Sequence, residues 1–372
     1  MKIAIDYTSA ARQRAGIGRY TRSLVRALAQ SDNRNEYALY VPRDAQYLED
    51  ARAFPKNFRI VSAPLNGRHM VALWQRAQIP LPVEFFTGRA DVFYSPDFVL
   101  PPTRARKKIL TVHDLSFLRV PETAVPKLKW YLEGAVPRAV ARADLILADS
   151  DATRQDLIEF FGMPPERVQT LYSGYDAMFR RVTDANEFAR VRATYNLEKP
   201  FILNVGTIEP RKNLTRLIEA FARLPQRDDL ELVIAGERGW MYDEIYAAPK
   251  KFGVNASVRF LGFTPDADLP ALYSLAEMFV YPSLYEGFGL PVLEAMACGA
   301  AVVTANNSSL PEVAGDAAVL VEARDVDALA EAMARYLDDT AWRGMMQTKT
   351  LTQAQKFSWA KSAAELRAAF QT

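Results

Sequence analysis

Two glutamates, Glu286 and Glu294, stand eight residues apart in the stretch Tyr281-Pro282-Ser283-Leu284-Tyr285-Glu286-Gly287-Phe288-Gly289-Leu290-Pro291-Val292-Leu293-Glu294-Ala295-Met296-Ala297-Cys298-Gly299. Paired carboxylates invite a hydrolase reading, and spacing tests it. Much of the gap reads as helix, which at a rise of about 1.5 Å per residue sets the pair about 10–12 Å apart. Retaining glycosidases hold their carboxyls about 5–5.5 Å apart and inverting ones about 6.5–9.5 Å. Binding is the better role, because a carboxylate accepts from hydroxyls and a ribose or a hexose offers several. The surrounding stretch suits an anion as well. A short apolar strand, a Gly-Phe-Gly turn and a helix opened by Pro291 and closed by Gly299 present bare backbone N–H groups at a helix N-terminus. Glu294 falls inside that apolar helix, beside Leu293 and Ala297, where a carboxylate is costly unless something hydrogen-bonds to it.

Further constellations carry residue types that bind anions or move protons. After the apolar run Phe201–Val205 comes Gly206-Thr207-Ile208-Glu209-Pro210-Arg211-Lys212-Asn213, with a helix following. Arg211 and Lys212 at the end of a strand suit a diphosphate. Ahead of a helix N-terminus two cations oppose the macrodipole, so an anionic ligand explains the placement better than stability does. A solvated basic loop is the plain alternative. His113-Asp114 closes another apolar run, at the edge where parallel sheets bind ligands, a packed or capped histidine being the competing reading. Gly16 and Gly18, in Ala15-Gly16-Ile17-Gly18-Arg19-Tyr20, open the first helix; they let backbone approach a phosphate, or simply form a flexible loop. They are not a dinucleotide fingerprint, since the third glycine is missing and about eight residues separate strand from glycines. Asp-x-Asp pairs at Asp149/Asp151, Asp266/Asp268 and Asp325/Asp327 each stand at a helix start, read as caps, and give no reason to expect a metal. The run Arg104-Ala105-Arg106-Lys107-Lys108 reads as a solvated loop, with an anionic membrane surface the lesser alternative.

Gross composition narrows the class. At 372 residues the chain exceeds the usual single domain, and with 49% hydrophobic and 24% charged residues it builds full cores. A net charge of +2 without a long basic run argues against nucleic acid. One cysteine, Cys298, precludes an internal disulfide, and two histidines, His69 and His113, argue against a structural zinc. The sequence opens directly as a strand, Asp6 interrupts any signal-like apolar region, and no apolar run approaches the ~18 residues of a spanning helix. A cytoplasmic protein is expected, with room for peripheral contact at the inner face of the membrane.

The elements that position these residues alternate. Strand patterns fall at Lys2–Tyr7, Tyr37–Val41, Arg59–Ser62, Val92–Tyr94, Lys108–Val112, Leu145–Ala148 and Val168–Leu171. They resume at Phe201–Val205, Glu231–Ala235, Val258–Leu261, Met278–Tyr281, Ala301–Thr304 and Ala318–Val321, with helical patterns between. Such alternation predicts an α/β protein with two doubly wound, Rossmann-like domains facing a cleft. The expected boundaries are residues 1–180 and residues 181–355, with a closing helix at 356–372. Leu65–Phe86, with His69 and Trp74, reads as an irregular excursion, either mobile or acceptor-facing.

With Glu286 and Glu294 separated by seven residues that include Gly287-Phe288-Gly289-Leu290-Pro291, the chain resembles the retaining glycosyltransferases of the GT-B fold, family 4. The Gly206–Asn213 motif, the Gly16–Tyr20 loop and His113-Asp114 extend the resemblance across both halves, closest to mannosyltransferase-like group 1 members. It implies metal-independent transfer of a hexose from a nucleotide diphosphate-sugar to an acceptor hydroxyl, in polysaccharide or glycolipid synthesis and with no cofactor. It also implies that residues 1–180 are the acceptor-side domain, onto which the helix at 356–372 packs back, and residues 181–355 the donor domain. GDP-mannose is the expected donor, a UDP-hexose the alternative, and the acceptor a saccharide or lipid-linked saccharide. By position, Glu294 would hold the ribose hydroxyls and Glu286 a hydroxyl of the hexose, while the amides of Gly287, Phe288, Gly289 and Leu290 would hold sugar and phosphate oxygens. Arg211 and Lys212 would bind the diphosphate, Gly16 and Gly18 would close on it, His113 would sit by the sugar, and Phe263, after Gly262, would lie near the base. One departure matters: many members carry arginine where this chain has Thr207, so the second positive charge falls to Arg211. A nucleotide-sugar epimerase and a two-domain sugar-binding protein share the two-domain shape. The first would isomerise donor without acceptor, and the second would bind sugar without nucleotide.

Overall fold

Apolar runs too continuous for a half-exposed strand become the interior of two parallel sheets. In the computed structural model, which describes residues 1–13 and 16–371, all sheet pairing is parallel. Ala15, in the first glycine motif, and Thr372, at the end of the expected closing helix, lie outside the described residues. The chain forms two compact units: Met1–Phe117, Pro126–Gly174 and Ser358–Thr372 in the first, Leu118–Val125 and Tyr175–Phe357 in the second. Residues 118–125 and 175–180 therefore count with the second unit.

The first unit holds β1 (Lys2–Asp6), β2 (Glu36–Val41), β3 (Phe58–Ser62), β4 (Val92–Ser95), β5 (Lys107–Val112), β6 (Leu145–Ala148) and β7 (Val168–Thr170), ordered β3-β2-β1-β4-β5-β6-β7. Every residue of β4 and β6 is buried, as expected of strands covered on both faces. The order reverses direction between β1 and β4, and the crevice beyond such a reversal is where doubly wound sheets bind ligands. Asp6 ends β1, and Asp97 follows β4.

The helix Ile17–Ser31 buries Tyr20, Leu24, Val25 and Leu28 at helical spacing. Against it lies the closing helix, Trp359–Gln371, whose Trp359 ring meets Tyr20 edge-on at 5.6 Å. Ser362 donates to the Tyr172 carbonyl at 2.6 Å, and Phe370 packs near Tyr37 and Tyr94. Gly174 is obligatory at this junction, since a Cβ there would lie 2.1 Å from the Trp359 nitrogen. The Leu65–Phe86 excursion, read as irregular, is partly helical, with the turns Gly67–Val71, Ala72–Arg76 (π-helical) and Glu84–Thr87, and a short helix, Thr8–Arg12, stands just after β1.

The second unit holds β8 (Phe201–Val205), β9 (Glu231–Ala235), β10 (Val258–Gly262), β11 (Met278–Tyr281), β12 (Val302–Ala305) and β13 (Val319–Val321), ordered β10-β9-β8-β11-β12-β13. Its reversal falls between β8 and β11, so the ligand crevice of this sheet is bounded by the segments that leave those two strands. Those segments are Gly206–Asn213 and Pro282–Gly289. Behind them, the helix Leu214–Ala222 buries Leu217, Ile218 and Phe221 in the core. Among the described residues no helix is long and apolar enough to cross a membrane.

Candidate active site

The two segments at the second unit's reversal are stitched together by backbone before any ligand enters. Gly206 leaves β8 with its N–H donating to the Ala235 carbonyl, and Gly236 passes so close that a Cβ there would meet the Gly206 oxygen at 1.9 Å. The chain then makes a tight 3-10 turn, Pro210–Lys212, and Asn213 takes a left-handed conformation (φ 59°) that asparagine tolerates. The Asn213 amide donates to the carbonyls of Pro282 (2.9 Å) and Ala323 (2.6 Å), and Leu284 N–H donates to the Arg211 carbonyl (2.8 Å).

On this frame four charges close into one buried network. Glu286 accepts from Lys212 Nζ at 2.6 Å and from Ser283 Oγ at 2.6 Å through Oε1, and from Arg211 Nη1 at 2.8 Å through Oε2. Arg211 also donates to Glu209 (2.8 Å) and to the Tyr285 carbonyl (2.9 Å), while Lys212 reaches the Tyr281 hydroxyl at 2.7 Å. Burial alone would raise the Glu286 pKa; the two cations outweigh it and hold this carboxyl at about 2. Burial and the neighbouring Arg211 lower the Lys212 pKa, opposed by Glu286 and Glu209.

This network corrects one expectation. The cations were read as misplaced ahead of a helix and so as a sign of an anionic ligand. They do stand just ahead of the helix Leu214–Ala222, in the 3-10 turn, but Glu209 and Glu286 compensate them, so their placement alone does not demand a ligand. What remains open to one is narrower: two of the three ammonium donors of Lys212 have partners among the described residues.

The glycine turn follows directly. Ser308 Oγ accepts from Glu286 N–H (3.0 Å), and Ser309 Oγ donates to the carbonyls of Glu286 and Phe288. Gly289, at φ 101°, is the N-cap of the helix Leu290–Ala297, and a Cβ there would strike Leu310 at 2.8 Å. Phe288 is buried edge-on against Phe357, and Gly287 precedes it in the same turn. Glu294 is 3% exposed, with the Tyr273 hydroxyl 3.5 Å from Oε2, so its burial is answered at least in part by the protein itself. Phe263 stands apart, 53% exposed just after β10.

His113, Gly16 and Gly18 belong to the first unit. His113 is buried at the end of β5, with Nδ1 2.7 Å from Asp149 Oδ2 and Nε2 3.0 Å from the Pro96 carbonyl. Both ring nitrogens are thus engaged. Gly18 is required by packing, because a Cβ there would lie 2.2 Å from the Gln13 carbonyl oxygen. Gly16 is open on that side and left-handed at φ 57°.

Of the three aspartate pairs read as caps, the third holds a cap: Asp325 accepts the Ala328 N–H. Ser150 caps the helix Asp151–Phe161, while Asp149 pairs with His113. Asp268 makes no cap bond, because its oxygens hold Arg190 and the Tyr195 hydroxyl at 2.6 Å each. Sequence reasoning also missed Glu209 and Ser283, whose partners Arg211 and Glu286 are two and three residues on, and Gly236 and Asp149, whose partners Gly206 and His113 follow other strands.

Two parallel α/β units, with a buried cation–carboxylate network and a glycine-turned helix start at one sheet's reversal, describe a GT-B architecture. Residues 14–179 match the sequence model of Glycosyltransferase Family 4 and residues 186–355 that of Glycosyl transferases group 1. Over 360 residues, 92% of this chain and 92% of the relative, the chain is 34% identical to O-antigen chain mannosyltransferase B of Escherichia coli. It is 38% identical over 228 residues to the serotype-specific mannosyltransferase WbdA of Escherichia coli, spanning 60% of this chain and 28% of that protein. Sucrose-phosphate synthase from Thermosynechococcus elongatus shares the fold at a TM-score of 0.77 and 20% identity, over 100% of this chain and 98% of that one. The chain belongs to the group 1 glycosyltransferases of family 4. It is a glycosyltransferase, and the epimerase and sugar-receptor readings are set aside.

Proposed function

We propose that this chain transfers mannose from GDP-mannose to a hydroxyl of a saccharide or lipid-linked saccharide acceptor during O-antigen-type polysaccharide assembly, with retention and without a metal. Similarity along nearly the whole chain to a mannosyltransferase supports the sugar and the setting. The observation that carries the mechanism is the Arg211–Lys212–Glu286 network at the second unit's sheet reversal.

Transfer breaks the bond between the sugar's anomeric carbon and a diphosphate oxygen and forms one to the acceptor oxygen. The departing phosphate takes up the acceptor proton. Negative charge grows on the leaving diphosphate, and fixed cations with helix-end amides stabilise it best when they need no reorganisation. Arg211 and Lys212 are held in that way, and the remaining Lys212 N–H is the donor to spare. Glu286 Oε1 is filled by Lys212 and Ser283, so a hexose hydroxyl has Oε2 to bind. Glu294 is assigned the ribose hydroxyls, the turn Gly287–Leu290 the sugar and phosphate oxygens, Phe263 the base, Gly16 and Gly18 the diphosphate from the first unit, and that unit the acceptor.

Exposed Phe85 and Trp130 on the first unit give aromatic anchors for peripheral membrane contact. Undiminished co-sedimentation of Phe85→Ser with anionic vesicles would remove that role. For the reaction itself, incubation of GDP-mannose with a mannoside acceptor in excess EDTA is expected to yield an axially linked product by proton NMR. An inverted product, or turnover abolished by EDTA and restored by a divalent cation, would overturn the mechanism.

A further inference from the structure

The imidazole of His113 has an acceptor on each side. Asp149 Oδ2 lies 2.7 Å from Nδ1 and the Pro96 carbonyl 3.0 Å from Nε2. A carbonyl cannot donate, so Nε2 must carry a proton. The contact at Nδ1 then has two solutions: an imidazolium donating to a carboxylate, or a neutral ring accepting from a protonated Asp149. Both satisfy the geometry, and the surroundings choose between them. A proton between an imidazole and a carboxyl ordinarily goes to the imidazole by about 2.6 pKa units. Asp97, after β4, adds a second carboxyl facing the ring. No cation is among the largest influences on the ring. Tyr20, from the helix Ile17–Ser31, meets the ring edge-on at 4.8 Å and keeps its proton, burial pushing its pKa well above the usual value, while Phe98 stands at 5.5 Å. Burial opposes the charged ring, yet Asp149, Asp97 and the Pro96 carbonyl outweigh it and lift the His113 pKa to about 9.

We propose that His113 is an imidazolium throughout the neutral range, that Asp149 is the positioning residue that keeps it charged and fixes its ring, and that His113 serves turnover as a fixed cation rather than as a proton acceptor. The last part rests on the glycosyl-transfer reading above; the first two do not. The orientation is pinned from the backbone as well, since Thr153 Oγ1 donates to the His113 carbonyl at 3.2 Å. Asp149 thus does for a ring at the end of β5 what no residue of β5 itself does.

The chain has two histidines, which makes the test direct. Nitrogen-15 NMR of uniformly labelled protein, with His69→Asn to assign the remaining ring, reads the two His113 nitrogens separately. The expected spectrum at pH 7.5 has both nitrogens protonated, each with a one-bond N–H coupling. A pyridine-type Nδ1 signal without that coupling would place the proton on Asp149 and overturn the proposal, and the wild-type ring decides this without any active-site variant. Asp149→Asn is expected to move His113 titration down by at least 1 pH unit. Its turnover of GDP-mannose should fall at least about threefold more at pH 8.5 than at pH 6, the loss of charged ring that a shift of 1 unit from about 9 produces. An equal loss at both pH values would reduce Asp149 to a structural part. Absence of turnover in the wild type would count against the glycosyl-transfer reading while leaving the NMR result standing.

Discussion

Each unit gathers buried charge beyond the ends of its central strands, and the two collections are built oppositely. In the second unit two cations meet two carboxylates, and the pairing drives Glu286 down to about 2. In the first unit one imidazole meets a surplus of carboxyls. Burial raises Asp97 and Asp149, and raises Asp6, with the neighbouring Asp97 assisting, to about 6. In the second unit, a loss of internal pairing would expose positive charge, as the proposed diphosphate site requires. In the first, the carboxyls around His113 outnumber it and are acceptors for hydroxyl-bearing groups. That division matches a donor carrying a diphosphate and an acceptor offering hydroxyls.

The largest predicted effect breaks the second collection at its centre. Lys212→Ala removes a fixed cation facing the growing charge and leaves Glu286 with one ionic partner. Steady-state assays should show kcat lower by about 10²–10³-fold, the scale for one preorganised donor to a developing anion. Glu294→Ala should cost about 10- to 100-fold in kcat/KM, as expected for lost hydrogen bonds to a charged acceptor. A loss within a few-fold of wild type for either variant would show that the assigned site is wrong. Glu286→Gln sharpens the comparison, because it frees the cations without removing them. Calorimetry should show GDP binding about tenfold more tightly while turnover falls, and unchanged binding would mean that Glu286 does not restrain the cations.

The smallest effect is a difference in pH response between the units. His113, raised to about 9, contributes stability that is fully present below its unfolded pKa of about 6.5 and is lost as pH climbs through about 9. Asp6, raised to about 6, acts in the same direction, with stability lost as pH rises through that value. Glu286 acts oppositely: its contribution is present above its unfolded pKa of about 4.3 and lost as pH falls through about 2. Hydrogen exchange, corrected for intrinsic rates, should show the first unit loosening between pH 7 and 9.5 and the second loosening below pH 4. Parallel loosening of both units would remove the contrast.

The sheets were legible in the sequence because parallel strands covered on both faces write themselves as unbroken apolar runs. Each of the thirteen strand patterns has a strand in the structure, within one residue at either end. The residues Arg211, Lys212 and Glu286 were legible singly, from their places after strands. Their mutual neutralisation was not, because Glu286 lies 75 residues from Arg211 and the two meet only when β11 aligns beside β8. Asp149 looked like a helix cap because its neighbours in sequence are helical, while its partner is 36 residues away. Asp268 was misread for the same reason, its oxygens being claimed by Arg190 and Tyr195 from a helix earlier in the chain. Gly236 carried no local signal; its necessity comes from the Gly206 carbonyl of the adjacent strand.

The central claim is that the second unit's network is a nucleoside-diphosphate site. Isothermal titration of GDP, UDP and ADP into wild type and Lys212→Ala tests it most directly, without an acceptor. The account predicts that GDP binds the wild type best and that Lys212→Ala weakens it at least tenfold. Binding of GDP to both proteins with equal affinity, or no binding of any of the three, would contradict it.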